Sequence, residues 1–376
     1  MSKQSFVPNE NRPRVLLVAV HSPFNKTKNI QSYYDEFLHL VSSNGLEYDE
    51  VVYVKLRSVD TGYFLTTGKL EEIRALCEEK KIREVIFSDQ LTAMQERNLS
   101  ELLHSRVYDR TQLILEIFEK SAHSAEGKLQ VEIAMFHHKK SRMAGAGVHM
   151  SQQAGRIGTR GPGETAKEKE TRHIETQVNQ LKKELAAMQK VRETQRKRRL
   201  ESGIPQICLV GYTNTGKSTI LNHLTKANVL AQNKLFATLD TTTRELFIDG
   251  KKKGVISDTV GFIQQLPHQL IDAFKSTLDE LRYADLLLHI IDISDPDCEE
   301  HIKVVTKILH ELGVEKEMLY VFNKADTPQE THLPEAALNR YQPNVVVSAR
   351  TREGLEPLIQ FLREWHKTSS EEKEEE

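Results

Sequence analysis

The stretch Ile207-Cys208-Leu209-Val210-Gly211-Tyr212-Thr213-Asn214-Thr215-Gly216-Lys217-Ser218 constrains the fold more than any other part of the chain. Four apolar residues lead into G-x-x-x-x-G-K-[ST], and Ile220, Leu221 and Leu224 follow at the spacing of a buried helix face. A strand, a glycine loop and a helix in that order make a phosphate cradle. Gly211 and Gly216 let the backbone wrap closely around an anion. The loop from Tyr212 to Thr215 and the helix N-terminus then turn backbone N–H groups toward the phosphates. Lys217 is expected to reach the β- and γ-phosphates, and Ser218 to offer its hydroxyl to Mg²⁺.

A chain of 376 residues accommodates two or three domains with ample core. Its formal net charge of −2 says little, because charge is segregated along the sequence. Cys77, Cys208 and Cys298 are widely spaced, forming neither a metal pattern nor a disulfide framework; they read as free thiols of a reducing cytosol. No charged-then-apolar leader opens the chain, and no apolar run approaches the ~18 residues of a membrane span. The expectation is a cytoplasmic protein without a membrane span.

Residues 1–120 alternate strand and helix patterns: strands at Val15–Val20, Val51–Leu56 and Glu84–Ser88, helices at 30–41, 69–80 and 92–104. That order predicts an α/β domain with a parallel sheet. Residues 121–204 read as a helical hairpin. Leu129, Ile133 and Phe136 mark the first helix. A second, long helix carries Ile174, Val178, Leu181, Leu185 and Met188 at alternating spacings of four and three, a coiled-coil seam. The seam lasts only about two to three heptads, which favours an intramolecular hairpin and a monomer over a long dimer. Between the helices lies a glycine-rich basic segment, and Lys182–Arg199 holds eight basic and two acidic residues. Lys139, Lys140, Arg142, Arg156 and Arg160 are the candidates for contact with an anionic polymer. No aromatic residue is interleaved at the tip, so phosphate and shape contacts are expected rather than base stacking.

Residues 205–366 complete a nucleotide site. A strand over Gly254–Ser257 ends at Asp258-Thr259-Val260-Gly261, where a carboxylate can hold Mg²⁺ through water and the Gly261 N–H can meet the γ-phosphate. A strand over Met318–Phe322 ends at Asn323-Lys324-Ala325-Asp326. That N-K-x-D sets a carboxylate against the two N–H donors of a guanine edge, a face adenine lacks. Ser348-Ala349-Arg350 follows a third strand and would close over the base. Three motifs in order, each at a strand end, specify a guanine nucleotide. Between the first two lies Phe236-Ala237-Thr238-Leu239-Asp240 followed by Thr241, Thr242 and Thr243, where a loop must sense the γ-phosphate by bringing a threonine to Mg²⁺. Motif order identifies the loop but not which of the four threonines acts. Residues 367–376 form an acidic tail expected to be disordered.

FATLD with TTR (236–244), DTVGFI with QLPHQLIDAFKSTLDELR (258–282), GKLQVEIA (127–134) and GRIGTRGPGETAKEKETRHI (155–174) together resemble the HflX family of ribosome-associated GTPases. The resemblance implies an N-terminal α/β domain, a helical hairpin and a Ras-like P-loop GTPase domain. It implies a partner, the large ribosomal subunit with its rRNA, and a role in splitting, rescuing or recycling ribosomes. It makes Thr238 the switch threonine for Mg²⁺ and Asn214 a K⁺ ligand. The chain departs from the family at Ala166–His173 and at Thr241, where proline is usual. Two other functions fit the motifs: an RNA-processing or RNA-remodelling factor, and an adaptor that binds GTP or GDP without useful turnover. No catalytic side chain is evident. Phe262 follows Gly261 where Ras-like enzymes carry the glutamine that orients water, so slow unassisted turnover is expected.

Overall fold

The computed structural model describes residues 12–145, 166–201, 203–225, 234–267, 270, 275–327 and 338–367. They form two compact units, one of residues up to Glu116 with Phe136–Thr176, the other of Ile117–Met135 with the chain from Gln177 onward.

In the first unit, β1 (Val15–His21), β2 (Glu50–Lys55), β3 (Glu84–Phe87) and β4 (Arg106–Asp109) make an all-parallel sheet in the order β2-β1-β3-β4. β1 is a continuous apolar run and is buried along six of its seven residues, as a central parallel strand requires. α1 (Ile30–Ser43), α2 (Thr67–Lys80) and α3 (Ala93–Leu103) are the crossovers. Asn29 caps α1, and Thr92 with Gln95 forms a capping box on α3. β4 and the following α4 (Arg110–Ser121) had no counterpart in the sequence reading. The strand is four residues long, and no glycine or proline separates it from the helix. Arg110, which reads as a surface residue, is buried and ion-paired with Glu36.

α5 (Ala125–Gly145) and α6 (Ala166–Glu201) are the two hairpin helices. The apolar seam of α6 is buried at Ile174 and Val178 but runs out to an exposed Met188, so it is shorter than its spacing suggests. The glycine-rich segment between these helices and the acidic tail beyond residue 367 lie outside the described residues.

In the second unit, six strands order as β10-β9-β8-β5-β7-β6. β5 (Gln206–Gly211), β7 (Lys251–Asp258), β8 (Leu286–Asp292), β9 (Glu317–Asn323) and β10 (Asn344–Val346) run parallel, and β6 (Thr242–Ile248) pairs antiparallel with β7. The β6–β7 turn is Asp249-Gly250, both at positive φ (+50° and +76°), the geometry of a type I′ hairpin. That D-G pair was a legible hairpin signal; the threonine-rich run ahead of it reads as loop, yet Thr242 and Thr243 already belong to β6. α7 (Lys217–Thr225) and α10 (Glu356–Glu364) cover one face, with Ile220, Leu221, Leu358 and Leu362 in the core. α8 (Lys275–Tyr283) and α9 (Cys298–Glu311) cover the other, with Leu278, Leu281, Val305 and Leu309. This places the C-terminal ends of β5, β7, β8 and β9 along one edge, where open parallel sheets hold ligands.

Candidate functional site

β5 ends at Gly211 and α7 begins at Lys217, so residues 211–216 form the cradle at a buried strand end. The turn after β7 fastens this loop: Thr213 N–H donates to the Phe262 carbonyl at 2.8 Å, and Phe262 N–H donates to that of Gly211 at 3.2 Å. From the end of β9, the buried Asn323 donates through Nδ2 to the Thr215 carbonyl at 2.8 Å and accepts the Ala349 N–H through Oδ1 at 2.9 Å. Asn323 therefore joins the phosphate loop to the 348–350 loop. Gly216, at φ +96°, must be glycine both for its backbone and because a Cβ would run into Asn323 Nδ2. Lys217 is buried, and its Nζ donates to the carbonyls of Tyr212 at 2.6 Å and Gly211 at 3.2 Å. Burial lowers its pKa to about 8, against the pull of Asp258 in the other direction.

Ser218, Thr238 and Asp258 converge beside the cradle from three separate elements. Ser218 Oγ donates to Asp258 Oδ2 at 2.5 Å and lies 2.8 Å from Thr238 Oγ1. Asp258 is completely buried, which raises its pKa, while Lys217 and Ser218 lower it. Its Oδ1 is buried without a hydrogen-bond partner. Two hydroxyls and a carboxylate with a free oxygen fit a small, hard cation that retains several waters, as Mg²⁺ does. Of the loop threonines, Thr238 is the one that reaches Ser218. Thr241 accepts a hydrogen bond from Arg192, Thr243 pairs with Ser257 at 2.8 Å, and Thr242 opens β6.

At the other end, Lys324 adopts the left-handed region at φ +67° and its Nζ pairs with Asp292 at 2.6 Å. Ala325 N–H donates to the Val347 carbonyl at 3.2 Å. Asp326 Oδ1 accepts from Ser348 Oγ at 2.6 Å, and Arg350 Nη1 lies 3.7 Å from Oδ2. The Ser348 hydrogen bond holds the Asp326 carboxyl below the usual carboxylate range, so it is ionised at neutral pH. The cavity between these two ends has a volume of ≈ 380 Å³ and is lined by Thr213, Lys217, Thr238, Thr259, Gly261 and Lys324 among others. That size suits a small-molecule ligand. Asn214 lines it too, exposed and at φ +60°. So do Phe236 and Ala237, although Phe236 and Leu239 turn their side chains into the core. Thr219 and Lys234 also line it and escaped the sequence reading. Thr219 follows Ser218 directly and was legible; Lys234 lies outside every motif.

Tyr212 and Val260 are buried, and Tyr212 stacks on His301 with centroids 3.8 Å apart. Phe262 is 1 % exposed and packs against Cys208, Val210, Leu278 and Leu287, so its ring has no access to water. Thr259 donates its hydroxyl to the Leu209 carbonyl at 2.7 Å. Among the basic candidates, Lys139 is exposed and Lys140 half-buried, and they are ion-paired with Glu170 and Glu175 at 3.1 and 2.6 Å. Arg142, chosen on charge alone, is turned inward: it pairs with Asp109 at 2.5 Å and Glu96 at 3.1 Å, and its side chain is 16 % exposed. It ties its helix to the first unit's sheet and is not free to meet a polymer. Arg156 and Arg160 lie outside the described residues.

Residues 31–119 match a family model described as GTP-binding GTPase N-terminal, 121–199 one described as GTP-binding GTPase Middle Region, and 206–324 one described as 50S ribosome-binding GTPase. Among curated proteins, the chain is 41 % identical over 353 residues to GTPase HflX of Caldanaerobacter subterraneus subsp. tengcongensis, covering 94 % of this chain and 80 % of that protein. It is likewise 41 % identical over 352 residues to GTPase HflX of Escherichia coli K12, covering 92 % and 82 %. Among solved structures, a crystal structure of an SsGBP and GDP complex aligns with a TM-score of 0.51 at 25 % identity, over 93 % of this chain and 97 % of that one. Among the described residues no helix is long and apolar enough to cross a membrane. The chain belongs to the HflX family of GTPases and is a GTP-hydrolysing enzyme.

Proposed function

We propose that this GTPase docks on the large ribosomal subunit and uses its nucleotide cycle to split, rescue or recycle ribosomes, acting as a cytoplasmic monomer. The observation that supports the partner most directly is the match of residues 206–324 to a family described as 50S ribosome-binding GTPase. Two arms precede that domain, an α/β domain over 1–120 and a hairpin over 121–204. The first hairpin helix carries Lys139 and Lys140, and Arg156 and Arg160, which lie outside the described residues, complete the basic set for rRNA phosphates.

GTP places its phosphates in the ≈ 380 Å³ cavity over residues 211–218, and its base reaches past Lys324, at the cavity's edge, to 323–326 and 348–350. Lys217 swings from the Tyr212 and Gly211 carbonyls to the phosphates, exchanging neutral acceptors for charged ones. Ser218 and Thr238 would hold Mg²⁺ directly and Asp258 through water; when bound, the ion offsets charge on the β- and γ-phosphate oxygens. Asp326 accepts the guanine N–H pair, and the Gly261 N–H meets the γ-phosphate. Asn214, at the exposed lip, is the ligand for K⁺. Phe262 cannot orient water, so the free enzyme positions its nucleophile poorly.

Sedimentation of purified large subunits with the protein, in a non-hydrolysable GTP analogue and in GDP, tests the partner. Co-sedimentation that is strong with the analogue and weak with GDP is the expected result. Equal absence in both states would overturn the reading.

A further inference from the structure

The switch loop has a second side. Thr238 faces Ser218, and two residues on, Asp240 turns the other way, to the start of α5. Asp240 Oδ2 accepts the N–H groups of His123 at 2.8 Å and Ser124 at 2.7 Å, and Oδ1 accepts from Ser124 Oγ at 2.5 Å. Ser124 Oγ in turn accepts the Gly127 N–H at 2.9 Å, so Ser124 is the N-cap of α5 and Asp240 extends that cap with a carboxylate. The approach is close: a Cβ on Gly127 would run into Asp240 Oδ1. Two further contacts hold the same segment. Phe118 meets Phe236 edge to face with centroids 4.7 Å apart. Arg192, from α6, donates to Thr241 Oγ1, pairs with Glu126 at 3.1 Å and lies 3.5 Å from Glu280 of α8. All of these residues belong to the second compact unit.

A loop that must present one hydroxyl to a metal loses effectiveness if its backbone wanders, because ordering each residue costs conformational entropy. Here that order is imposed from outside the nucleotide site, by the hairpin base. We infer that Ser124 and Arg192 are positioning residues for GTP hydrolysis: by gripping Asp240 and Thr241, they hold the Thr238 hydroxyl beside Ser218 and Asp258. Linkage makes the grip reciprocal. A triphosphate that stabilises Thr238 in place also stabilises the α5 cap, whereas a diphosphate, which does not need Thr238, leaves the cap to itself. The inference rests on Thr238 being the switch threonine.

The test compares Ser124→Ala, Ser124→Thr, Arg192→Gln and Thr238→Ala in the full chain. Affinities for GDP and a non-hydrolysable GTP analogue are measured across a Mg²⁺ series, and single-turnover hydrolysis beside them. Ser124→Ala and Arg192→Gln are expected to weaken the analogue about fivefold or more and to raise the Mg²⁺ needed for half-saturation, with GDP affinity within about twofold of the parent. Ser124→Thr, which keeps the hydroxyl, should restore both. Hydrogen exchange at residues 124–127 should slow with the analogue relative to GDP in the parent and lose that difference in Ser124→Ala. An unchanged analogue affinity in Ser124→Ala and Arg192→Gln beside a defective Thr238→Ala overturns the inference alone. An equal loss for GDP and analogue overturns it too, since a generally loosened domain would give that. An undisturbed Thr238→Ala overturns the reading of Thr238 and this inference with it.

Discussion

Asp326 and Lys217 show how single side chains are tuned before any ligand arrives. Ser348 takes one lone-pair direction of the Asp326 carboxylate and keeps it ionised; on the proposed function, the remaining directions would meet the two guanine donors. Asp326→Asn should lower GTP affinity by about two orders of magnitude or more and raise that for xanthosine triphosphate, whose carbonyl meets the new amide. Competition binding with both nucleotides checks this, and an unchanged GTP preference would remove Asp326 from the base site. Lys217 is buried against carbonyls with its pKa lowered to about 8, and phosphates would raise it again. Binding above that pH must therefore take up a proton. Nucleotide affinity should be about threefold weaker at pH 8.5 than at 7.5, with about three-quarters of a proton taken up at pH 8.5. Calorimetry in buffers of different ionisation heat measures this uptake. Lys217→Arg, which cannot lose its proton, should show neither effect.

At the scale of elements, β8 carries the cost of a buried titratable side chain. His289 is 1 % exposed in the centre of the sheet, and its Nδ1 has no hydrogen-bond partner. Burial, reinforced by the charge of Lys217, lowers its pKa to about 3. An unfolded histidine titrates near 6.5. Between those values the unfolded chain binds the extra proton, so stability falls as pH falls from about 6.5 toward about 3. The loss from this one group should reach about 2 kcal/mol at pH 5. The chain's single tryptophan, Trp365, lies in the same compact unit and reports its unfolding. Urea midpoints followed at Trp365, at pH 7 and 5, should drop further in the parent than in His289→Leu. Parallel drops would place the acid sensitivity elsewhere.

At the scale of the whole molecule, the enzyme has a phosphate loop, a cluster of Ser218, Thr238 and Asp258 oxygens beside it, and a core phenylalanine directly after Gly261, which on the proposed function leaves no side chain there to orient water. Intrinsic hydrolysis should be slow, on the order of 10⁻⁴ to 10⁻² s⁻¹. Large ribosomal subunits should accelerate it at least about tenfold, which needs only ~1.4 kcal/mol off the barrier. Replacing Na⁺ by K⁺ should help in the free enzyme if Asn214 holds that ion. Single-turnover assays in both salts, with and without subunits, decide; fast turnover indifferent to all of them would mean that the free enzyme already orients its water. Reversing the charge of Lys139, Lys140, Arg156 and Arg160 should weaken subunit binding and flatten its salt dependence while sparing GTP affinity.

The sequence alone determined what depends on local order: a strand, a glycine loop and a helix at 207–224, D-x-x-G and N-K-x-D at strand ends, and the strand and helix alternation before residue 104. Each of these is set by neighbours within a few residues, where hydrophobic period and backbone freedom are legible. It also fixed the switch loop but left four threonines open. Only the tertiary structure set Thr238 against Ser218, since a hydroxyl's partner 20 residues away depends on the packing of α7, β6 and β7. The same holds for Arg142, whose charge pointed outward on paper and whose partners Asp109 and Glu96 draw it inward. β4 and α4 were hidden because a four-residue strand carries too few periods to stand out, and because Arg110 is buried among partners distant in sequence, Glu36, 74 residues away, and the Tyr33 ring. Asp240 reads as one polar residue in a loop; that it caps a helix which starts more than a hundred residues earlier is a fact of the fold, decided where long-range packing brings a carboxylate to unpaired backbone donors.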